Sequence, residues 1–436
     1  MSAPRSRTAA WRGLGIAALV LAALATWLLW PAAPTTVPDS TPPQDRATVE
    51  RGRYLATLGN CQHCHTPRGG QPYAGGRGIT TPFGTVYSSN LTPGAAGLGA
   101  WSAGDFWRAL HHGQSRSGRL LSPVFPYTNT THITRADSDA LYAYLRSLPA
   151  VETPAPVHEL RWPYNTQAAL KAWRTLYFRE GQPQTAADAP GNSNEHNELQ
   201  RGAYLVRGLA HCSACHAPRN ALGASGLDPV GGLIPAQNWY APSLTDVREA
   251  GVQDWPLEDI VALLRQGRAG NAIVTGPMAE VVQHSTQYWQ VSDLRAVALY
   301  LQQLPRGATT GTPPASPLHT AAGPGLKLYE KHCADCHGGQ GQGARGQDGH
   351  WAYPPLAGNR ALALPSPANL VQIVLHGGFA PATAGNPRPF GMPPHVLTLN
   401  DSEVAAVVSY VRTQWGQRPE PVTTLEVQRL RESMAR

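Results

Sequence analysis

No cysteine in this chain stands outside a short motif, and that scarcity is the first constraint. The 436 residues hold six cysteines, all in three Cys-x-x-Cys-His runs: Cys61-Gln62-His63-Cys64-His65, Cys212-Ser213-Ala214-Cys215-His216 and Cys333-Ala334-Asp335-Cys336-His337. A disulfide scaffold scatters its cysteines at varied spacings through far shorter chains, so it is excluded. A four-ligand zinc site fits no better, because each motif offers two thiols and three motifs do not pair evenly. Charge is scarce as well: Asp, Glu, Lys and Arg make up 14%. The formal net charge of +7 is not gathered into a Lys/Arg run, which removes nucleic acid as a partner. No Ser-His-Asp arrangement, acidic pair or phosphate-cradling glycine loop stands out, so no catalytic residue is assigned.

What is present is the spacing of covalent c-type haem attachment. Two thiols add to the porphyrin vinyl groups, and the histidine that follows ligates the iron from the proximal side. The attachment residues are Cys61, Cys64 and His65, then Cys212, Cys215 and His216, then Cys333, Cys336 and His337. His63 lies inside the first motif, points away from the iron and receives no role. Abundant Gly (44) and Pro (40) suit a chain that wraps a large apolar cofactor in loops, such as Gly338 to Gly343.

Methionine is the next scarcity. The four are Met1, Met278, Met392 and Met434. Met278 and Met392 each precede a closing helix in a Gly/Pro setting and read as sixth ligands, which raise a haem's potential and close it to substrate. The first copy has no methionine. His132, in the equivalent stretch Ser122 to Thr134, is its candidate distal ligand, with His111 and His112 as alternatives.

The copies form an internal repeat. Arg51-Gly52-Arg53-Tyr54-Leu55 precedes motif one, Arg201-Gly202-Ala203-Tyr204-Leu205 motif two, and the looser Gly325-Leu326-Lys327-Leu328-Tyr329 motif three. Amphipathic helices over Asp137 to Leu148, Asp293 to Leu304 and Asp401 to Trp415 close them. Within copies one and two, Pro82 to Thr92 echoes Pro235 to Thr245, two loops expected to pack beside the haem. The expected fold is mainly α, three tandem cytochrome c domains behind an N-terminal transmembrane helix.

That helix rests on Gly13 to Trp30, eighteen residues without a charge, about 27 Å as a helix and close to a bilayer's hydrocarbon core. Arg5, Arg7 and Arg12 precede it, which places the haem domains outside the cytoplasm. A cleaved signal ending near Ala23-Leu24-Ala25 is the competing reading. The expected division is a tail over 1–12, an anchor over 13–30, a linker over 31–44 and domain one over 45–192 with an extra wrapping segment. Domain two then covers 193–306, a linker 307–319, domain three 320–417 and a tail 418–436, where Leu425, Val427, Leu430 and Met434 suggest a short helix docking on a partner.

The stretches YLATLGNCQHCHTPRGG, TPFGTVYSSNLTP, CSACHAPRNALGA, NWYAPSLTD, GPMAEVVQHST and FGMPPHVLTLNDSEVAAVVSYVR resemble the tri-haem cytochrome c subunits of bacterial membrane-bound dehydrogenases. FWRALHHGQSRSGRLL and RWPYNTQAALKAWRTLYF resemble the branch paired with molybdenum hydroxylases. The resemblance spans about residues 45 to 417. It implies a partner catalytic subunit of molybdenum, quinone-cofactor or flavin type. It further implies ubiquinone or a terminal oxidase as electron acceptor, and a seat at the inner membrane with the haem domains in the periplasm. Many relatives in this family carry a Met near Phe125 or Ile133; this chain does not. A free electron shuttle and a multihaem peroxidase or reductase working at an open first haem are the alternative functions.

Overall fold

The computed structural model of the chain describes residues 7–182, 194–234, 236–270, 272–307, 323–347 and 349–433. The expected linker 307–319, apart from Gly307, lies outside the described residues, as do 183–192 of the wrapping segment and Met434.

Helix α1 covers Arg7–Leu29. It ends one residue earlier than the apolar run, so its uncharged part, Gly13 to Leu29, measures about 25 Å against roughly 30 Å of hydrocarbon. Among the described residues no helix is long and apolar enough to cross a membrane. The expectation of a spanning anchor at 13–30 is therefore not supported. The far end of α1 is instead tied to protein: Lys171 donates to the carbonyls of Trp27 (2.5 Å) and Trp30 (3.2 Å), and its ammonium lies 4.5 Å from the Trp27 ring.

The first repeat runs α2 (Arg46–Leu58), α3 (Cys61–His65), β1 (Gly78–Thr81), β2 (Gly84–Tyr87), α4 (Ala103–His112), α5 (Tyr127–Thr130) and α6 (Arg135–Arg146). Local chemistry sets the ends. Asp45 caps α2, a Ser102–Asp105 capping box opens α4, and Gly113 in the left-handed region (φ 58°) closes it. β3 (Glu159–Leu160) then adds to β2, and α7 (Gln167–Tyr177) follows. In this segment Phe178 is buried against Tyr127, and Trp173 donates from its indole N–H to the Leu222 carbonyl at 2.9 Å.

The second repeat has α8 (Asn194–Tyr204), which passes into a π-helical turn over Leu205–Leu209. Then come α9 (Ser213–His216), β4 (Gly232–Ile234), β5 (Trp239–Ala241), α10 (Leu257–Gln266), β6 (Arg268–Ala269), β7 (Ala272–Ile273), α11 (Gly276–His284) and α12 (Val291–Gln303). The third has α13 (Pro324–His332), α14 (Ala334–His337), β8 (Ala344–Arg345), β9 (Trp351–Tyr353), α15 (Ala368–His376), β10 (Gly378–Phe379), β11 (Gly391–Met392) and α16 (Asp401–Gly416).

In each repeat the opening and closing helices cross at a glycine. A Cβ on Gly52 would meet the Ala140 oxygen at 1.9 Å, one on Gly202 the Ala296 oxygen at 2.0 Å, and one on Gly325 the Ala406 oxygen at 2.5 Å. No larger residue permits that backbone approach. Repeats one and two share a single apolar core that joins Leu55, Leu58, Leu141 and Leu145 to Leu205, Leu209, Leu294 and Leu301. Repeat three builds a separate one from Tyr329, Val371, Leu375, Val404 and Val408.

The terminal helix α17 (Thr424–Ser433) belongs to that third core. Val427 is fully buried in it, and Arg431 pairs with Asp401 at 2.6 Å. Of the residues expected to dock on a partner, Val427 and Leu430 pack into the third core of the chain itself, and Leu425 is exposed.

Candidate haem sites

Each motif sits in a short helix, α3, α9 or the Cys333–α14 turn, just after the opening helix of its repeat. None of the six cysteines is in a disulfide. Burial raises the thiols of Cys61 and Cys212 to about 12 and that of Cys333 to about 11, and it also raises Cys64 and Cys215. These groups stay protonated at neutral pH, which makes them poor metal thiolates.

The histidines share one geometry. His65 Nδ1 lies 2.7 Å from the Ser89 carbonyl, His216 Nδ1 2.7 Å from Pro242, and His337 Nδ1 2.9 Å from Pro354. A carbonyl only accepts, so Nδ1 carries the proton in all three, and Nε2 is left with its lone pair for a metal. Burial lowers the pKa of each imidazole, which favours this neutral tautomer.

A glycine completes each seat. Gly75, Gly231 and Gly343 donate their N–H to the carbonyls of His65, His216 and His337 at 2.8, 2.7 and 2.8 Å. Their φ values are 73°, 86° and 69°. A Cβ there would meet the backbone nitrogen of Asn90, Ser243 or Pro355, the residue just after the accepting carbonyl, at 2.4, 2.7 or 2.7 Å. The seat therefore needs glycine both for its left-handed backbone and for the close approach.

These features answer whether the residues fit a covalent haem. Two reduced cysteines and an imidazole with its coordinating nitrogen free are the donor set such a haem requires, and it recurs three times. The loops that echo one another in copies one and two supply the orienting carbonyls of Ser89 and Pro242. Sequence reasoning placed those loops but missed this contact, because a backbone acceptor leaves no side-chain signature.

The distal candidates lie in different settings. Met278 is half-buried in the first turn of α11, two residues after Gly276, which packs on the Trp239 ring. Met392 is half-buried in β11, paired with Gly378. His132 sits in the seam between repeats: its ring packs on Gly181, its Cβ faces Gly208, and it hydrogen-bonds with the Gln182 backbone. Burial lowers its pKa. His111 stacks on Trp107 at 4.4 Å and has a buried Nδ1 with no partner; His112 pairs with Glu180 at 2.8 Å.

The fold and the repeated thiol–imidazole seats define a cytochrome c, and the cytochrome c family profile matches residues 49–149 and 322–415. Three relatives extend the match along the chain. The cytochrome c subunit of the quinone alcohol dehydrogenase of Gluconacetobacter polyoxogenes is 37% identical, with 91% of this chain and 86% of that protein covered. The gluconate 2-dehydrogenase cytochrome c subunit of Pantoea cypripedii is 34% identical, covering 87% and 88%. The fructose dehydrogenase cytochrome subunit of Gluconobacter japonicus is 32% identical, covering 88% and 83%. The chain belongs to this family of cytochrome c subunits of dehydrogenases, binds haem covalently and serves electron transfer.

Proposed function

We propose that the chain carries three c-type haems, one per motif, and passes electrons from a catalytic dehydrogenase subunit to ubiquinone or a terminal oxidase. The observation that carries this reading is the threefold recurrence of a reduced cysteine pair beside a histidine whose Nδ1 is spent on a backbone carbonyl. Each bound haem supplies reversible one-electron storage. The polypeptide does the rest: the thiols fasten, the carbonyls of Ser89, Pro242 and Pro354 fix the proximal imidazoles, and the apolar cores exclude water.

Met278 and Met392 are the proposed sixth ligands of the second and third sites, and His132 that of the first. The His132 ring would have to turn from its seat on Gly181 to serve. A His132→Ala variant tests it: loss of the low-spin signal of the first haem supports ligation, and an unchanged signal ends the assignment. The exposed Leu14, Leu19, Leu21 and Trp30 of the α1 region support attachment to the periplasmic face of the inner membrane. The function itself is tested by purifying the chain from solubilised membranes. A catalytic subunit that co-purifies, and whose substrate reduces all three haems, supports the proposal; substrate that leaves the haems oxidised refutes it.

A further inference from the structure

His63 lies within the first attachment motif, yet its contacts belong to the second repeat. Its side chain is only 17% exposed, and its Nε2 lies 3.1 Å from Oε2 of Glu280 on α11. Its ring stacks on His284, at the last turn of the same helix, with centroids 5.0 Å apart and planes 28° from parallel. Arg77 closes the cluster by donating to the His63 carbonyl at 3.0 Å while lying 3.9 Å from Glu280. A second tie joins the end of α11 to repeat one: Ser285 donates from Oγ to the Thr57 carbonyl of α2 at 2.6 Å.

Helix α11 therefore lies across the first haem motif while its opening turn carries Met278. At that end Gly276 packs on the Trp239 ring, and farther along the helix Ala279 and Val282 are buried. A thioether–iron bond tolerates little displacement of its ligand, so the helix that bears Met278 needs an anchor beyond its own short length. An exposed ion pair alone would be a weak anchor, since Glu280 is 58% exposed. The stacked, largely buried His63 ring makes the contact a geometric one.

We propose that His63 is a positioning residue for the second haem: through Glu280 and His284 it holds α11, and with it Met278, in register over that site. The attachment loop of one haem thereby sets the sixth ligand of its neighbour. This rests on the reading that Met278 ligates the second haem.

The test uses the full-length, haem-loaded chain. The readouts are the Met-to-iron charge-transfer band of the ferric protein, the potential of the second haem and in-gel staining for covalent haem. With two methionine-ligated haems, Glu280→Ala and His63→Ala reduce the band to about half and lower one potential, while His63→Gln, which keeps a donor toward Glu280, restores both. Haem staining stays unchanged. If His63→Ala impairs attachment of the first haem, Glu280→Ala decides, because it leaves the motif intact. A full band and unshifted potentials in Glu280→Ala overturn the inference. A Met278→Ala variant that keeps the full band refutes the ligation reading itself, which separates the two failures.

Discussion

Repeats one and two use the same helix start as repeat three, but they satisfy it across a boundary. The third residue of the closing helix is an acid in every copy: Asp137, Asp293 and Glu403. In repeat three, Glu403 turns back to accept from the backbone N–H of Asn400 at 2.9 Å, an ordinary capping box. In repeat two the corresponding N–H, that of Gln290, donates to the Tyr54 hydroxyl of repeat one at 2.9 Å. Tyr54 in turn donates to Asp293 at 2.7 Å. The reciprocal set joins Tyr204 to Asp137 at 2.5 Å, with the Thr134 N–H at 3.4 Å. Arg51 and Arg201 finish the two acids, and Pro324 stands at that place in repeat three. One acid thus has two uses: spent locally it closes a helix within its own repeat, and shared with a neighbour's tyrosine it ties two repeats together.

The largest expected effect comes from removing attachment cysteines on either side of this divide. Cys333→Ser with Cys336→Ser costs one haem and leaves the first two sites with native spectra, because the third core is separate. Cys212→Ser with Cys215→Ser costs the second haem and also disturbs the first, because those sites share a core. Spectra of the remaining haems distinguish the two; equal, local losses would contradict a core shared by the first two sites.

Asp293→Ala comes next. Its carboxylate is 9% exposed and leaves Tyr54 and Arg201 without their acceptor, a loss of about 2–3 kcal/mol read by chemical denaturation of the joined pair. Glu403→Ala removes only a cap and lowers repeat three by about 1 kcal/mol. Tyr54→Phe is smaller than Asp293→Ala, about 1 kcal/mol, and should affect both joined repeats together. A transition confined to one of them would contradict the shared unit.

The smallest effect is a pH slope. Burial pushes His111 down to about 4, below the ordinary 6.5, with His112, His132 and Glu180 facing it. Between those values the unfolded chain binds more protons than the folded one. His111 therefore stabilises the pair above pH 6.5, and that contribution is lost as pH falls toward 4. His111→Gln should flatten this part of the stability curve; an unchanged slope assigns it elsewhere.

The haem motifs, the helix–motif–loop–helix order and the three closing helices were legible in the residues, because thiol spacing and helical periodicity are side-chain patterns. The carbonyls of Ser89, Pro242 and Pro354 were not, since any residue offers one. The crossed Tyr–Asp contacts were equally hidden: Tyr54 and Asp293 are 239 residues apart, and only the fold brings them together. Periodicity found the terminal helix but not which surface it covers, and Val427 lies in the third core of its own chain. Hydropathy counted Trp30 as part of an apolar run, whereas the helix stops before it.

The purified chain should retain three porphyrins after denaturation. Intact mass analysis of acid-extracted, full-length protein should give the polypeptide plus three haems, with the haem content of the same sample agreeing. A mass equal to the bare polypeptide, or haem that extracts freely into acid acetone, would contradict it.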